Sequence, residues 1–106
     1  MRGLVAMILA GLLPVQAGAA NAERGRVLAD RWCVECHVVP DAEASADAGP
    51  PLASLPVETA QGASAVRAWL FDPHPPMPGI DLRAGQIEDI IAYIRRLRAS
   101  TRETSE

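Results

Sequence analysis

The clearest hydrophobic pattern in the chain lies near its C-terminus, where isoleucine and leucine recur at steps of three and four residues. These positions are Ile87, Ile90, Ile91, Ile94 and Leu97. The spacing predicts an amphipathic helix whose apolar face contains these side chains, with Asp89 and the other charged residues outside that face. We predict Asp81 as the N-cap of this helix and a frayed polar tail over residues 100–106.

A second helical pattern precedes the two cysteines of the chain. It predicts a helix over residues 22–32, capped at its start by Asn21. Its predicted apolar stripe comprises Val27, Leu28 and Trp32. Gly25 lies in the interior of this helix, where glycine costs about 1 kcal/mol relative to alanine. We therefore predict that another helix crosses at Gly25, so closely that a side chain would collide.

The middle of the chain gives weaker signals. Residues 64–71 predict a short helix, because the following Asp-Pro pair is a stop signal. Trp69 on this helix is predicted to pack on the core or on a cofactor, with its indole N–H bonded to a polar group. Residues 41–47, rich in alanine and acidic groups, predict a surface loop. Residues 49–52, Gly-Pro-Pro-Leu, predict a stiff turn whose carbonyl groups stay free to accept hydrogen bonds.

The first twenty residues have the pattern of a secretory signal. Arg2 supplies a positive start, residues 4–13 an apolar run, and residues 17–19 a small-residue processing site. We predict a signal peptide over residues 1–20 and one mature domain over residues 21–106, with cleavage after Ala19, Ala20 or Ala22. An uncleaved membrane anchor is the alternative. The prediction places the mature protein in the periplasm.

Composition limits the classes of partner. The predicted mature region keeps nine of the ten basic residues, all arginine, against thirteen acidic residues. This balance excludes a basic nucleic-acid binder, and the absence of lysine excludes a lysine-ringed docking surface. A mature chain of roughly 85 residues is marginally stabilised by its apolar core alone, so we expect a covalent cofactor to complete that core.

One segment has residue types that indicate a specific chemistry: residues 33–37, Cys-Val-Glu-Cys-His. On a helical turn, Cys33, Cys36 and His37 share one face. Both sulfurs can then form thioethers with the vinyl groups of a haem, while the imidazole of His37 supplies one axial ligand in its neutral form. A carbonyl of residues 49–52 can accept the Nδ1 proton of His37 and aim the other nitrogen at the iron.

Three other interpretations of residues 33–37 stay open at this point. A zinc site needs about four ligands, and only His37 and His74 could join the two cysteines. A redox dithiol would follow a strand in a βαβ unit, whereas no β-rich run precedes Cys33. A disulfide between Cys33 and Cys36 would leave the adjacent imidazole unexplained.

A second informative segment is residues 74–79, where three prolines surround Met77. The other two methionines, Met1 and Met7, lie in the predicted signal, so Met77 is the one thioether of the mature region. Prolines give the loop an extended and low-entropy backbone, which suits a side chain held at a fixed point. We predict Met77 as the second axial ligand, with His74 as its rival.

Taken together, these segments resemble the class I c-type cytochromes, the small monohaem proteins of the bacterial periplasm. The resemblance implies an all-α cytochrome c fold of three to four short helices around one covalently attached haem c. It implies that the first and last helices cross near Gly25, with Tyr93 and Ile90 packing against Leu28. It also implies axial ligation by His37 and Met77, with the carbonyl of Pro50 oriented towards His37.

The chain departs from the family pattern at three places. Residues 82–85 offer no serine or threonine to cap the last helix, the segment between His37 and Gly49 is longer than in compact relatives, and the lysine ring is missing. The last departure leaves the redox partners of the protein unidentified.

The function implied is that of a soluble one-electron carrier, not an enzyme, in a periplasmic electron-transfer chain. Its partners would be redox proteins, with no nucleic acid and no stable membrane insertion once the signal is cleaved. One alternative is the haem-bearing subunit of a larger oxidoreductase. Another is an open-iron sensor or peroxidase-like protein, in which Met77 is displaced and His74 serves as an acid or base.

Overall fold

The computed structural model describes residues 11, 19–73 and 75–105. These residues form three α-helices, α1 (Ala22–Trp32), α2 (Ala60–Phe71) and α3 (Ala84–Thr104), together with a 3₁₀ helix at Leu52–Ser54. They contain no strand, so the all-α class is confirmed.

The predicted signal peptide lies almost entirely outside the described residues. Within the part of the chain that the structure does describe, no helix has the length and apolar character needed to cross a membrane.

Helix α1 has the predicted ends but a different buried face. The Asn21 side chain caps it by accepting a hydrogen bond from the Arg24 backbone N–H at 2.9 Å. The predicted apolar stripe is wrong in part, because Val27 is 52% exposed and Trp32 is 46% exposed. The small residues Gly25 and Ala29, one turn apart, are buried instead. A neighbouring helix can approach closely only along such a small-residue face, which leaves the larger side chains at its edges.

That neighbour is α3, and the close crossing predicted at Gly25 is confirmed. A Cβ atom on Gly25 would lie 1.9 Å from the carbonyl oxygen of Asp89 and 2.9 Å from Cβ of Tyr93. Tyr93 and Ile90 are almost fully buried, and Leu28 packs against the cluster that contains them. The backbone of α1 therefore rests on α3 without an intervening side chain.

Helix α3 buries the predicted apolar face but differs at both ends. The buried positions include Ile87, Ile90, Ile91, Ile94 and Leu97. The N-cap is Arg83 and not Asp81, and the Gln86 side chain accepts the Arg83 N–H at 2.8 Å. An amide at the third helical position thus replaces the missing serine or threonine cap.

At its other end α3 continues to Thr104, so the frayed tail predicted from residue 100 is wrong up to that point. The hydroxyl groups of Ser100, Thr101 and Thr104 donate to carbonyls one turn earlier. These polar side chains bond to the backbone of the helix itself, so they are compatible with its last turns.

The prediction that Asp89 lies outside the buried face of α3 is wrong, because this residue is only 6% exposed. Its Oδ1 atom accepts the Asn21 backbone N–H at 2.7 Å, and its Oδ2 atom accepts Arg24 Nε at 3.0 Å. The hydrogen bond from Arg24 is the main cause that lowers the pKa of the Asp89 carboxyl. The buried carboxylate therefore joins the start of α1 to α3.

Helix α2 begins at Ala60, four residues before the predicted start. Thr59 caps it by accepting the Gly62 N–H at 2.9 Å. Gly62 suggests a helix break by composition, yet a Cβ there would lie 1.7 Å from the carbonyl oxygen of Pro56. The glycine allows close contact with the preceding loop, and the helix continues through it. Its buried side chains are Ala63, Val66 and Leu70.

The segment 41–47 is exposed apart from a half-buried Ala42, as predicted for a surface loop. Its first residue has a structural contact that the sequence did not predict. The Tyr93 hydroxyl on α3 donates to Asp41 Oδ2 at 2.8 Å. The loop after residues 33–37 is thereby fastened to the last helix.

Candidate haem site

Residues 33–37 extend the end of α1 by one turn. The backbone N–H of Cys33 donates to the Ala29 carbonyl at 2.8 Å, and the N–H groups of Cys36 and His37 donate to the Cys33 carbonyl at 3.2 and 2.9 Å. The turn brings Cys33, Cys36 and His37 together at the end of a rigid helix, which is the local arrangement that the sequence predicted.

The two cysteines are free thiols, with Cys33 buried and Cys36 half-buried. The disulfide interpretation is therefore wrong. Burial, with a smaller contribution from Cys36, raises the pKa of the Cys33 thiol to about 11. A redox dithiol works through a thiolate of lowered pKa and follows a strand, whereas this thiol stays protonated and follows a helix. The geometry therefore does not support the dithiol interpretation.

The His37 ring is oriented by the turn at residues 49–52. Its Nδ1 atom lies 2.6 Å from the carbonyl oxygen of Pro50. Because a carbonyl can only accept, Nδ1 carries the proton, and in the neutral ring Nε2 then has a free lone pair. This is the contact that the family resemblance implied, and it leaves Nε2 available to bind a metal.

Gly49 is a steric requirement of this arrangement that the sequence did not predict. A Cβ atom there would lie 2.7 Å from Cε1 and 2.9 Å from Nδ1 of His37. The Gly49 N–H also donates to the Cys36 carbonyl at 2.5 Å. The only signal in the sequence was the position of a glycine directly before two prolines, which indicated a turn but not its contact.

Met77 is half-buried and packs against the hydrophobic cluster that also contains Cys33. Its thioether therefore shares a cluster with one of the two thiols. His74, the rival ligand, lies outside the described residues. Within the described residues, no three His, Cys, Asp or Glu side chains are grouped so as to hold a metal ion, as a zinc site would require.

Trp69 lies on α2 with 43% of its surface exposed, outside the buried core. The prediction that it packs into the protein core is therefore wrong. Helix α2 turns Val66 and Leu70 towards the core, and position 69 falls beside that face. Its contact with a cofactor stays a prediction, because the exposed fraction refers to the polypeptide alone and a bound haem would cover part of this surface.

Three surface cavities, of about 390 to 690 Å³, lie elsewhere on the chain. Their linings contain no thiol, imidazole or thioether, so none of them supplies ligands for a haem. The fit to a haem depends instead on the chemistry of the donor set. Two free thiols, a neutral imidazole with Nε2 available and a half-buried thioether are the groups that a covalently attached and axially ligated haem requires.

Comparison with known proteins agrees with this donor set. No family model matches the chain. The protein named cytochrome c-552 from Bradyrhizobium diazoefficiens is 37% identical over 99 residues, which cover 92% of this chain and 95% of that protein. The aligned region therefore extends over almost the whole of both chains and includes every candidate site residue.

Proposed function

The chain belongs to the c-type cytochromes, and we propose that it is a one-electron carrier in a periplasmic electron-transfer chain. Covalently attached haem c defines the family and is the cofactor of this protein. When bound, this group supplies an iron that alternates between the ferric and ferrous states. The assignment of individual residues to the haem is part of the proposal.

The proposed covalent attachment is through Cys33 and Cys36. Their free thiols lie on one turn at the end of α1, next to the proposed axial ligand His37. Formation of two thioethers also explains why the buried Cys33 is present without a disulfide partner. In the haem protein neither residue would keep a titratable thiol.

The observation that carries the proposal is the 2.6 Å contact between His37 Nδ1 and the Pro50 carbonyl. It fixes the imidazole in the tautomer that a metal ligand needs and restrains rotation of the ring. Gly49 supports this role because only a residue without a side chain fits beside the ring.

Met77 is proposed as the ligand on the opposite side. A neutral thioether favours the ferrous state and raises the reduction potential, which suits an electron carrier. If His37 and Met77 both bound the iron, a substrate would have no direct access to the metal. Electron transfer through the edge of the cofactor then remains as the function. We propose that Trp69 contacts the haem and is covered by it in the complete protein.

Location in the periplasm is proposed from the signal pattern of residues 1–20. The contacts of Asn21 bear on the cleavage position, because its side chain caps α1 and its N–H binds the buried Asp89. Cleavage after Ala22 would remove both contacts, whereas cleavage after Ala19 or Ala20 would preserve them. We propose one of these two positions. The intact mass of the exported protein distinguishes all three.

The function is tested by an optical spectrum and a redox titration of the exported protein and of Met77→Leu. Leucine keeps the apolar volume and removes the sulfur. We expect a Met-to-iron charge-transfer band at the red end of the visible spectrum of the oxidised wild type. The band should be absent from Met77→Leu, whose potential should be lower. Leu82→Ile, a volume-conserving change in the same loop, is the control and should keep the band.

Three results would contradict the proposal. High-spin features in the oxidised wild type, without the charge-transfer band, would indicate an open iron, as in the sensor or peroxidase alternative. An unchanged potential and band in Met77→Leu would exclude Met77 as the ligand. Elution of the native protein within a larger complex would identify a subunit instead of a free carrier.

A further inference from the structure

The loop that carries the Pro50 carbonyl is bound to residues 36–38 on one side. Gly49 N–H donates to the Cys36 carbonyl at 2.5 Å, and Leu52 N–H donates to the Val38 carbonyl at 3.1 Å. Between these two hydrogen bonds lies Pro50, which has no N–H and whose carbonyl oxygen contacts His37 Nδ1. The position of that oxygen therefore depends on how firmly the loop is held on its other side.

On that other side the loop is held by Arg98 of α3. Arg98 Nη1 donates to the carbonyl oxygen of Ala53 at 2.9 Å, and Arg98 Nε forms an ion pair with Glu58. Ala53 lies in the 3₁₀ helix that starts two residues after Pro50. The Arg98 side chain is only 26% exposed, so water competes weakly for these bonds. One guanidinium thus joins both ends of the segment 53–58 to the last helix.

The neighbouring arginines of α3 do not duplicate this contact. Arg95 Nε reaches the Val57 carbonyl at a longer 3.4 Å. Arg102 Nη1 lies 3.5 Å from Glu58, and its side chain is 67% exposed. Neither bonds to the 3₁₀ helix in the described residues. Arg98 can make both contacts because its planar group donates in two directions at once.

We propose that Arg98 is a positioning residue for the axial imidazole. It holds the 3₁₀ helix against α3 and so fixes the Pro50 carbonyl at hydrogen-bond distance from His37 Nδ1. The inference rests on the proposed function, in which His37 is an iron ligand. It extends the haem site to a side chain 61 residues away in sequence, on the helix that also forms the crossing.

The consequence is electronic as well as structural. A strong Nδ1–H···O=C bond increases the basicity of the imidazole, and a more basic ligand stabilises ferric iron. If the carbonyl moves away, that stabilisation decreases and the reduction potential rises. Loss of a surface ion pair alone would lower the free energy of unfolding without this effect on the potential.

The test compares Arg98→Met with Arg102→Met in the haem-loaded protein. Both remove an arginine that contacts Glu58, but only the first removes the donor to Ala53. Two quantities are measured for each variant: the reduction potential, and the exchange rate of the Leu52 amide in the reduced state. In Arg98→Met we expect a higher potential and Leu52 exchange about tenfold faster than in wild type. Arg102→Met should match the wild type in both quantities.

Arg98→Lys keeps the test informative if Arg98→Met does not fold. A single ammonium retains the charge but cannot lie at both the Glu58 and Ala53 positions, so we expect a smaller shift in the same direction. Equal potentials in Arg98→Lys, Arg102→Met and wild type would overturn the inference, as would a lower potential in Arg98→Met. A wild type without the Met-to-iron band would instead refute the proposed function, so the two failures are distinguishable.

Discussion

The helix crossing and the haem segment of this protein are built in different ways. At the crossing, protein atoms meet protein atoms: Gly25 lies on the backbone of α3, and the buried Asp89 binds both Asn21 and Arg24. Around residues 33–37 and 49–52, here called the haem segment, hydrogen bonds to main-chain carbonyls predominate, and Trp32, directly before Cys33, is 46% exposed. The crossing is formed by protein atoms alone, whereas the haem segment carries the side chains that we propose to bind the haem.

This difference means that the cofactor would contribute to stability at the haem segment, whereas the packing at the helix crossing involves protein atoms alone. The crossing fixes the position of α1 relative to α3. Because the turn of Cys33 and His37 continues α1, its position relative to α3 is fixed as well. We therefore expect substitutions at the two regions to separate cofactor attachment from helix packing.

The largest effect should follow from Cys33→Ala combined with Cys36→Ala. Without the thiols no thioether can form, so acidified organic solvent should extract all haem from the variant and none from the wild type. The haem-free chain should be largely unfolded, because a core of this size is marginal alone. Glu35→Gln, in the same turn, is the control and should keep its haem. A double variant that retains covalent haem would refute the attachment site.

The sequence alone predicted the parts of both regions that depend on local pattern. The five apolar positions of α3 were found from their spacing, and the close approach at Gly25 from a glycine within a helix together with the family resemblance of the C-terminal helix. The turn of residues 33–37 was predicted from the spacing of its side chains and is observed, whereas the binding of haem by these residues and Met77 stays a proposal. In each case the signal lies in neighbouring residues.

The parts that could not be predicted depend on distant contacts. Asp89 is polar by type, and only the approach of α1 makes it a buried ion-pair partner. The bond between Tyr93 and Asp41 spans 52 residues. The start of α2 and the cap of α3 were misplaced because Thr59 precedes a segment that looks irregular, and because Gln86 acts from within the helix it caps.

The next largest effect should come from Gly25→Val at the crossing. A Cβ would lie 1.9 Å from a backbone oxygen that cannot move independently of α3, so the helices must separate. We expect a loss of about 3 kcal/mol in the free energy of unfolding, with covalent haem retained. Gly85→Ala in α3 is the matched control, because nothing lies within 4 Å of its added methyl group. Urea unfolding measures both, and a neutral Gly25→Val would contradict the tight crossing.

Asp89→Asn should cost less, about 2 kcal/mol, because it removes the charge of a buried acceptor but keeps its shape. The pKa of Asp89 is lowered in the folded state, so its contribution is fully present above the ordinary aspartate pKa of about 4 and is lost as pH falls through the folded value. The difference between wild type and variant should therefore be constant near neutral pH and shrink in acid.

The control for this change is Asp30→Asn, an exposed aspartate of the same helix pair, which should alter stability by less than about 0.5 kcal/mol. Urea unfolding at several pH values supplies the measurement. A difference between wild type and Asp89→Asn that persists unchanged at the lowest pH would show that the charge of Asp89 is not its source.

The smallest effect, and the one that tests whether the two regions are coupled, is expected for Tyr93→Phe. The Tyr93 ring is buried at the crossing, while its hydroxyl binds Asp41 in the loop that follows His37. Removal of one such bond should lower the free energy of unfolding by about 1 kcal/mol. Burial, followed by the bond to Asp41, raises the pKa of Tyr93, so this stabilisation should be present at neutral pH and decrease above about pH 10.

A double-mutant cycle with Asp41→Ala decides between coupling and independence. If the bond joins the two regions, the effects of Tyr93→Phe and Asp41→Ala should be less than additive, since each removes the same interaction. Amide exchange should then accelerate in residues 38–41 of either variant while the α1 amides keep their protection. Additive effects, with exchange unchanged in the loop, would mean that the bond between Tyr93 and Asp41 does not couple the crossing to the loop after His37.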